Sequence, residues 1–516
     1  MEKYNYLKQA IKIVKKLIES EGNVDDNIIN FLLDSNKNTK YTPEFMENSC
    51  GEKISNIDLS GFTLLHKCVI LTAKYQNLNN ILQNYFNVFS EFHNNINITT
   101  NEGISALHLA SRNSRTTSTE RTVKLLLDAG ANVNLQENNG WSALHLASCK
   151  SKTNSTEGTV KLLIDAGANV NLQDNGGWTA LHFASRISKT DSTEGTVKLL
   201  IDAGANINLQ NNNGHSALHL ASKYSKNDST EGTVKLLIDA GANVNLQDNN
   251  GWSALHLASR YSKTISTKGT VKLLIDAGAN VNLQNNYGTT ALHFASRNSK
   301  TDSTEGTVKL LIDAGANVNL QDNYGWTALH FASRYSKTTS TEGTVKLLIE
   351  YGANVNLQNN YGTTALHFAS RNSKTDSTEG TVKLLIDAGA NVNLQQNEGW
   401  SALHLASIYL GTESTEETII MLVLNGANIN LKNNENKTPI DLLPDGFEKI
   451  KSIFTMIIEQ KKYNKNIGEC VICFGELESF TCNYDHNVCF ECLVKSKNNL
   501  CPVCLKQFKL LKTTDN

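Results

Sequence analysis

Gly325-Trp-Thr-Ala-Leu-His-Phe-Ala-Ser-Arg-Tyr-Ser-Lys-Thr-Thr-Ser-Thr-Glu-Gly-Thr-Val-Lys-Leu-Leu-Ile-Glu-Tyr-Gly-Ala-Asn-Val-Asn-Leu-Gln-Asn-Asn-Tyr361 is the stretch on which the fold turns. Thr327-Ala-Leu-His-Phe-Ala-Ser reads as a short helix with small and apolar residues on one side. The run Ser336-Lys-Thr-Thr-Ser-Thr-Glu is loop and N-cap chemistry, because short polar side chains compete for backbone groups. Thr344-Val-Lys-Leu-Leu-Ile-Glu-Tyr predicts a second helix whose buried side is Val345, Leu347, Leu348 and Ile349. Gly352 stands where a helix ends in the left-handed region, and the Asn-rich segment after it suits a turn. Such a helix-loop-helix-turn cannot bury its apolar face alone, so copies must stack.

The copies are present. The histidine of Ala-Leu-His-(Leu/Phe) recurs at His108, His145, His182, His219, His256, His293, His330, His367 and His404, always 37 residues apart. Residues 288–321 and 362–395 are identical. With 516 residues, 19% charged and a net charge of −2, the chain has no basic excess of the kind a dedicated nucleic-acid binder carries. No apolar run approaches the length of a membrane-spanning helix. The first residues lack the apolar core of a secretory signal, so a cytosolic or nuclear protein is expected. Seven of the 10 cysteines fall between Cys470 and Cys504, which in a reducing compartment points to metal rather than disulfides.

The paired openings and the Leu-Leu-x-x-Gly-Ala-x-Val-Asn endings resemble the ankyrin repeat, whose usual unit is 33 residues. The resemblance implies a mainly α solenoid of about eleven units over 61–460. The four extra residues per unit fall in the loop between the helices, as in Ser299-Lys-Thr-Asp-Ser-Thr-Glu, where they are expected to leave the stacking surfaces alone. Gly61-Phe-Thr-Leu-Leu-His66 is a diverged first copy, and Asn436-Lys-Thr-Pro-Ile-Asp441 a last one with aspartate for histidine. Residues 1–60, with Leu7, Ile11, Val14 and Leu17 at helical spacing, read as a helical cap or further degenerate repeats. The repeated histidines have no second ligand at metal spacing and read as structural. All five tryptophans, Trp141, Trp178, Trp252, Trp326 and Trp400, directly follow a unit's opening glycine. In the resembled family this position faces the recognition surface, so the indoles are candidate partner-binding residues. Packing against the neighbouring turn is the competing reading. Tyr287, Tyr324 and Tyr361, each just before a glycine, extend the stripe.

After a short polar linker (461–469), residues 470–504 carry C-x2-C-x8-C-x3-H-x2-C-x2-C-x8-C-x2-C, and 505–516 form a tail. Eight ligands in four pairs make two tetrahedral zinc sites. The odd number of cysteines and the completing histidine disfavour disulfides. The order of ligands resembles the RING finger, a small zinc-stabilised ββα domain. The resemblance implies that Cys470, Cys473, Cys489 and Cys492 hold one zinc, and Cys482, His486, Cys501 and Cys504 the other. It also implies that Ile472, Leu493 and Pro502 contact a ubiquitin-conjugating enzyme. Two positions depart from the family: Ser496 replaces a frequent aromatic, and Leu505 a frequent basic residue.

Together these features are similar to a RING-type E3 ubiquitin ligase whose ankyrin array holds a protein substrate, with neither nucleic acid nor membrane as partner. The alternative is a non-enzymatic interaction scaffold with a structural zinc module. The Asn- and Lys-rich array also resembles the ankyrin families of giant DNA viruses, for which the site of action would be the host cell.

Overall fold

The structure, a computed structural model, describes residues 64–70, 72, 79, 96–452 and 454–455, with the backbone of three strands at 467–469, 476–481 and 487–489. The cap expected over 1–60 lies outside the described residues. The chain divides into two compact units at the Asn280–Val281 peptide.

The repeat 325–361 shows why these residues form these elements. Thr327 is an N-cap: its hydroxyl accepts from the His330 N–H, while its own N–H donates to His330 Nδ1 at 3.0 Å. This reciprocal box starts the helix Ala328–Arg334. The second helix begins two residues earlier than the pattern suggests, at Glu342, because Thr341 caps it by accepting from Thr344 N–H at 3.0 Å. It ends at Glu350, and Gly352 adopts φ +86°. Gly352 N–H donates to Ile349 O and Ala353 N–H to Leu348 O, the double closure of a Schellman motif.

In each compact unit, first helices of successive repeats pack on one another and on their own second helices. The core is made of Ala328, Leu329, Ala332, Val345 and Leu348, each at most 1% exposed, and their equivalents. Full burial of such a Leu or Val side chain is worth about 1.5–3 kcal/mol, and in a stack it recurs with each unit. Leu347 and Ile349, expected inside, are only half-buried, because the second helix is covered on one narrow stripe.

The inter-helix loops do not stand apart from the stack. Ser299 Oγ lies 3.1 Å from Ser340 Oγ of the next repeat, Ser340 donates to Ser296 O, and Thr344 donates to Ser299 at 2.6 Å. These serines are buried, so the insertion adds a hydroxyl ladder to the stacking surface, contrary to expectation. The asparagines form a second ladder: Asn319 Oδ1 accepts from Asn354 N–H at 2.8 Å and Asn319 Nδ2 donates to Gly352 O at 3.1 Å.

Both diverged end copies join the scheme. His66 Nε2 reaches Ile104 O at 3.0 Å. Asp441, on a 3-10 turn at Ile440–Leu442, accepts from Thr438 N–H at 2.8 Å and so replaces the imidazole. Further on, β1 (Ile467–Glu469), β2 (Glu476–Thr481) and β3 (Asn487–Cys489) pair antiparallel in the order β1-β2-β3, with Glu469 opposite Glu476 and Thr481 opposite Asn487.

Candidate functional site

Most opening turns are built from a carboxylate or amide, a glycine and the residue that follows; at Gly103 the hydroxyl of Thr100 takes the first place. Asp322 Oδ1 accepts from Trp326 N–H at 2.8 Å, and Asp322 N–H donates to Trp326 O at 2.8 Å. Gly325 has φ +77°, and a Cβ there would lie 2.7 Å from Asn360 N in the turn that leads into the next repeat, so only glycine fits. The histidine of the preceding repeat then pins the turn, His293 Nε2–H donating to Trp326 O at 3.0 Å. The same bond runs from His145 to Trp178 at 3.0 Å and from His367 to Trp400 at 3.1 Å. Because Nδ1 accepts from the cap N–H, the Nε2–H tautomer is the one that satisfies both ends. Burial is the main cause that lowers the pKa of His182, His219, His330 and His367 to about 4. They are therefore neutral structural groups, and no cluster able to hold a metal occurs among the described residues.

The indoles themselves are half-buried. Trp326 lies with its ring centroid 4.8 Å from Phe331 and 4.3 Å from Phe368 of the next repeat. Trp178 stacks on Phe183 at 5.0 Å, and Trp141 meets the same Phe183 at 4.3 Å. Arg260 lies over Trp252 at 5.5 Å, whereas Trp400 has His404 as its aromatic neighbour at 6.2 Å. The tryptophans thus contribute to stacking and retain an exposed edge. In the repeat that carries His215 in this place, the imidazole pairs with Asp248 at 3.2 Å. Burial opposes ionisation of Asp248, but the His215 bond and two backbone N–H groups outweigh it and hold the carboxyl below its usual range. Beside this row, Tyr287, Tyr324 and Tyr361 are 55%, 56% and 61% exposed.

Lys383–Asp387 at 3.0 Å is one of a series of exposed i,i+4 pairs, which solvent screening leaves with little weight in stability. No helix of the described residues is long and apolar enough to cross a membrane.

Of the expected zinc ligands, Cys489 closes β3 by its backbone. Cys470, Cys473, Cys482, His486, Cys492, Cys501 and Cys504 lie outside the described residues, as do Ile472, Leu493 and Pro502. The chemistry of the donor set, seven thiols and one imidazole in four pairs, fits two tetrahedral zinc ions.

A row of arginines escapes a reading by composition. Its signal is periodicity, a basic side chain nine residues after most opening glycines, including Arg186, Arg297, Arg334 and Arg371.

Helical pairs stacked at a fixed period, joined by glycine-hinged turns and pinned by buried histidines, define a helical repeat array. The family described as "Ankyrin repeats (3 copies)" matches residues 70–157, 117–191, 151–228, 189–267, 263–340 and 336–433, and the chain belongs to that family. Ankyrin arrays generally bind protein partners. Among solved structures the chain is similar to the ankyrin repeat domain of Bcl-3, described as a unique member of the IkappaB protein family. The identity is 28% over 47% of this chain and 99% of that one, with a TM-score of 0.39. No curated protein matches the chain.

Proposed function

We propose that the protein is a RING-type E3 ubiquitin ligase whose ankyrin array captures a protein substrate and whose C-terminal module recruits a charged ubiquitin-conjugating enzyme. The observation that carries this reading is the ligand spacing over 470–504, C-x2-C-x8-C-x3-H-x2-C-x2-C-x8-C-x2-C, on a chain whose other part is a protein-binding array. Cys470, Cys473, Cys489 and Cys492 would hold one zinc and Cys482, His486, Cys501 and Cys504 the second. When bound, the metal ions supply the folding energy of a segment with few apolar residues. Ile472, Leu493 and Pro502 would present the apolar groove for the conjugating enzyme. Transfer needs no covalent step on this chain: it holds substrate and thioester together and raises the effective concentration of the acceptor lysine. A cytosolic or nuclear site of action, within the host cell if the chain is viral, goes with this reading.

Ser496 and Leu505 favour a second reading, an ankyrin scaffold with a structural zinc module, because the resembled family often has an aromatic at the first position and, at the second, a basic residue that helps clamp charged ubiquitin. An autoubiquitination assay of the purified chain across a panel of conjugating enzymes separates the two. Transfer that is lost in Ile472→Ala with zinc retained supports the ligase. An inert chain that stays inert as Leu505→Arg leaves the scaffold.

A further inference from the structure

Three first helices after Val281 end on Arg297, Arg334 and, one residue before its last, Arg371, while the fourth ends on Ile408. Each guanidinium is laid over aromatic rings. Arg297 is 5.7 Å from Phe331 and 5.4 Å from Tyr335. Arg334 is 5.6 Å from Trp326, 5.2 Å from Tyr335 and 5.4 Å from Phe368. Arg371 is 4.2 Å from Tyr409. Placing rings against a guanidinium leaves its in-plane N–H groups for acceptors.

Arg371 shows what such an edge takes: its Nε meets Glu413 Oε2 at 3.1 Å. One repeat earlier the position of Glu413 is filled by Asp376, a methylene shorter. Among the described residues no ion pair joins Asp376 to Arg334, and the Arg334 Nε is buried without a hydrogen-bond partner. Another repeat earlier the position is Thr339, whose hydroxyl donates to the Arg297 carbonyl oxygen at 2.8 Å. A notch of about 320 Å³ lies between the two later levels, lined by Arg334, Phe368, Arg371 and Asn372 with Asp376 and Glu413. Exposed Lys300, Lys337 and Lys374 follow the three arginines at a constant interval, each Nζ donating to a main-chain carbonyl of the next repeat, so six cations stand against the three acidic residues Asp302, Asp376 and Glu413 of the same loops in a chain of net charge −2.

We propose that this arginine ladder seats an extended acidic peptide segment of the partner, whose carboxylates pair with the guanidinium groups of Arg297 and Arg334. The inference rests on the reading of the array as a protein-binding surface. Charge complementarity selects the occupant, and the register of one guanidinium per repeat suits discrete side-chain carboxylates. A nucleic acid fits less well, since the ring faces it would stack on already carry guanidinium groups and two carboxylates line the notch.

The test is fluorescence anisotropy of the full chain with a fluorescein-labelled decaglutamate peptide. Binding that weakens with added salt is expected. Arg297→Gln combined with Arg334→Gln should weaken it roughly tenfold or more, the loss of charge-assisted hydrogen bonds. Glu413→Gln should strengthen binding by releasing Arg371, and it decides the matter if the double variant does not fold. Unchanged affinity in both variants overturns the proposal, as does tighter binding of an oligothymidylate of equal charge. A protein partner crosslinked equally well by the double variant sinks the ladder and leaves the array's protein-binding role standing. An array that captures neither protein nor acidic peptide removes both.

Discussion

The Nε2 of His330 lies 3.1 Å from the carbonyl oxygen of Thr363, the residue after the opening glycine of the next repeat. The bond ties two repeats together, and it needs a neutral ring, since Nδ1 must accept from the Thr327 N–H at 3.0 Å. Burial lowers the pKa of His330 from 6.5 to about 4, and His66, His182, His219 and His367 behave alike. The unfolded chain therefore binds more protons than the folded one between those values. Stability from these groups is complete above pH 6.5 and is lost as pH falls toward about 4. Each shift corresponds to roughly 3 kcal/mol of preference for the neutral ring. Thermal melts followed by circular dichroism should fall steeply between pH 6.5 and 4.5, with little change between pH 7 and 8. A flat profile across the acidic range would show that the imidazoles are not excluded from charge.

Gly325 and Gly315 both have positive φ, +77° and +88°, but only at Gly325 would a Cβ meet backbone, Asn360 N at 2.7 Å. Gly315→Ala should cost about 1 kcal/mol from the left-handed conformation alone. Gly325→Ala should cost clearly more, about 3 kcal/mol, because the following turn must move as well. Urea titrations of the two variants measure the difference, and equal midpoints would contradict the close approach.

Trp326 packs between Phe331 and Phe368, while Trp400 has no phenylalanine partner in the described contacts. Trp326→Ala should therefore destabilise by about 2 kcal/mol, combining lost burial with lost ring contacts, and Trp400→Ala by less than half as much. Calorimetry on both variants checks the order. A partner lost by Trp400→Ala at unchanged stability would assign that indole to recognition.

Two neighbouring serines should answer oppositely to alanine. Ser336 Oγ accepts from Thr381 at 2.6 Å and lies 3.1 Å from Ser377 Oγ, so Ser336→Ala strands buried hydroxyls and should cost about 1–3 kcal/mol. The Ser333 Oγ is buried without a partner, and Ser333→Ala should be neutral or stabilising. Destabilisation of similar size in both would mean that the hydroxyl ladder contributes nothing specific.

Elemental analysis of the purified chain should find two zinc ions, and Cys489→Ser should lose at least one. Chelation should leave the helical signal nearly intact, because the array has its own stacked core. One zinc or none would defeat the paired-site assignment over 470–504.

Much of this protein is written locally. The period of 37, the Ser/Thr caps three residues before each His or Thr, and the glycines that end helices or hinge turns are all interactions within a few residues, so adjacent letters suffice to read them. The Cys and His spacing over 470–504, from which two zinc sites are proposed, is a local pattern too, since metal chemistry restricts residue type and interval at once. What the tertiary structure decided lies between repeats. Identical-looking loops turn out to carry a buried hydroxyl ladder, and the indoles share themselves between neighbour and solvent. Arg371 is neutralised by Glu413 while Arg334, with Asp376 in the equivalent place, is not. A repeating sequence shows which residue types recur, but whether two atoms 42 positions apart meet depends on a single methylene. That is settled only once the helices are stacked and their side chains have a fixed distance to span.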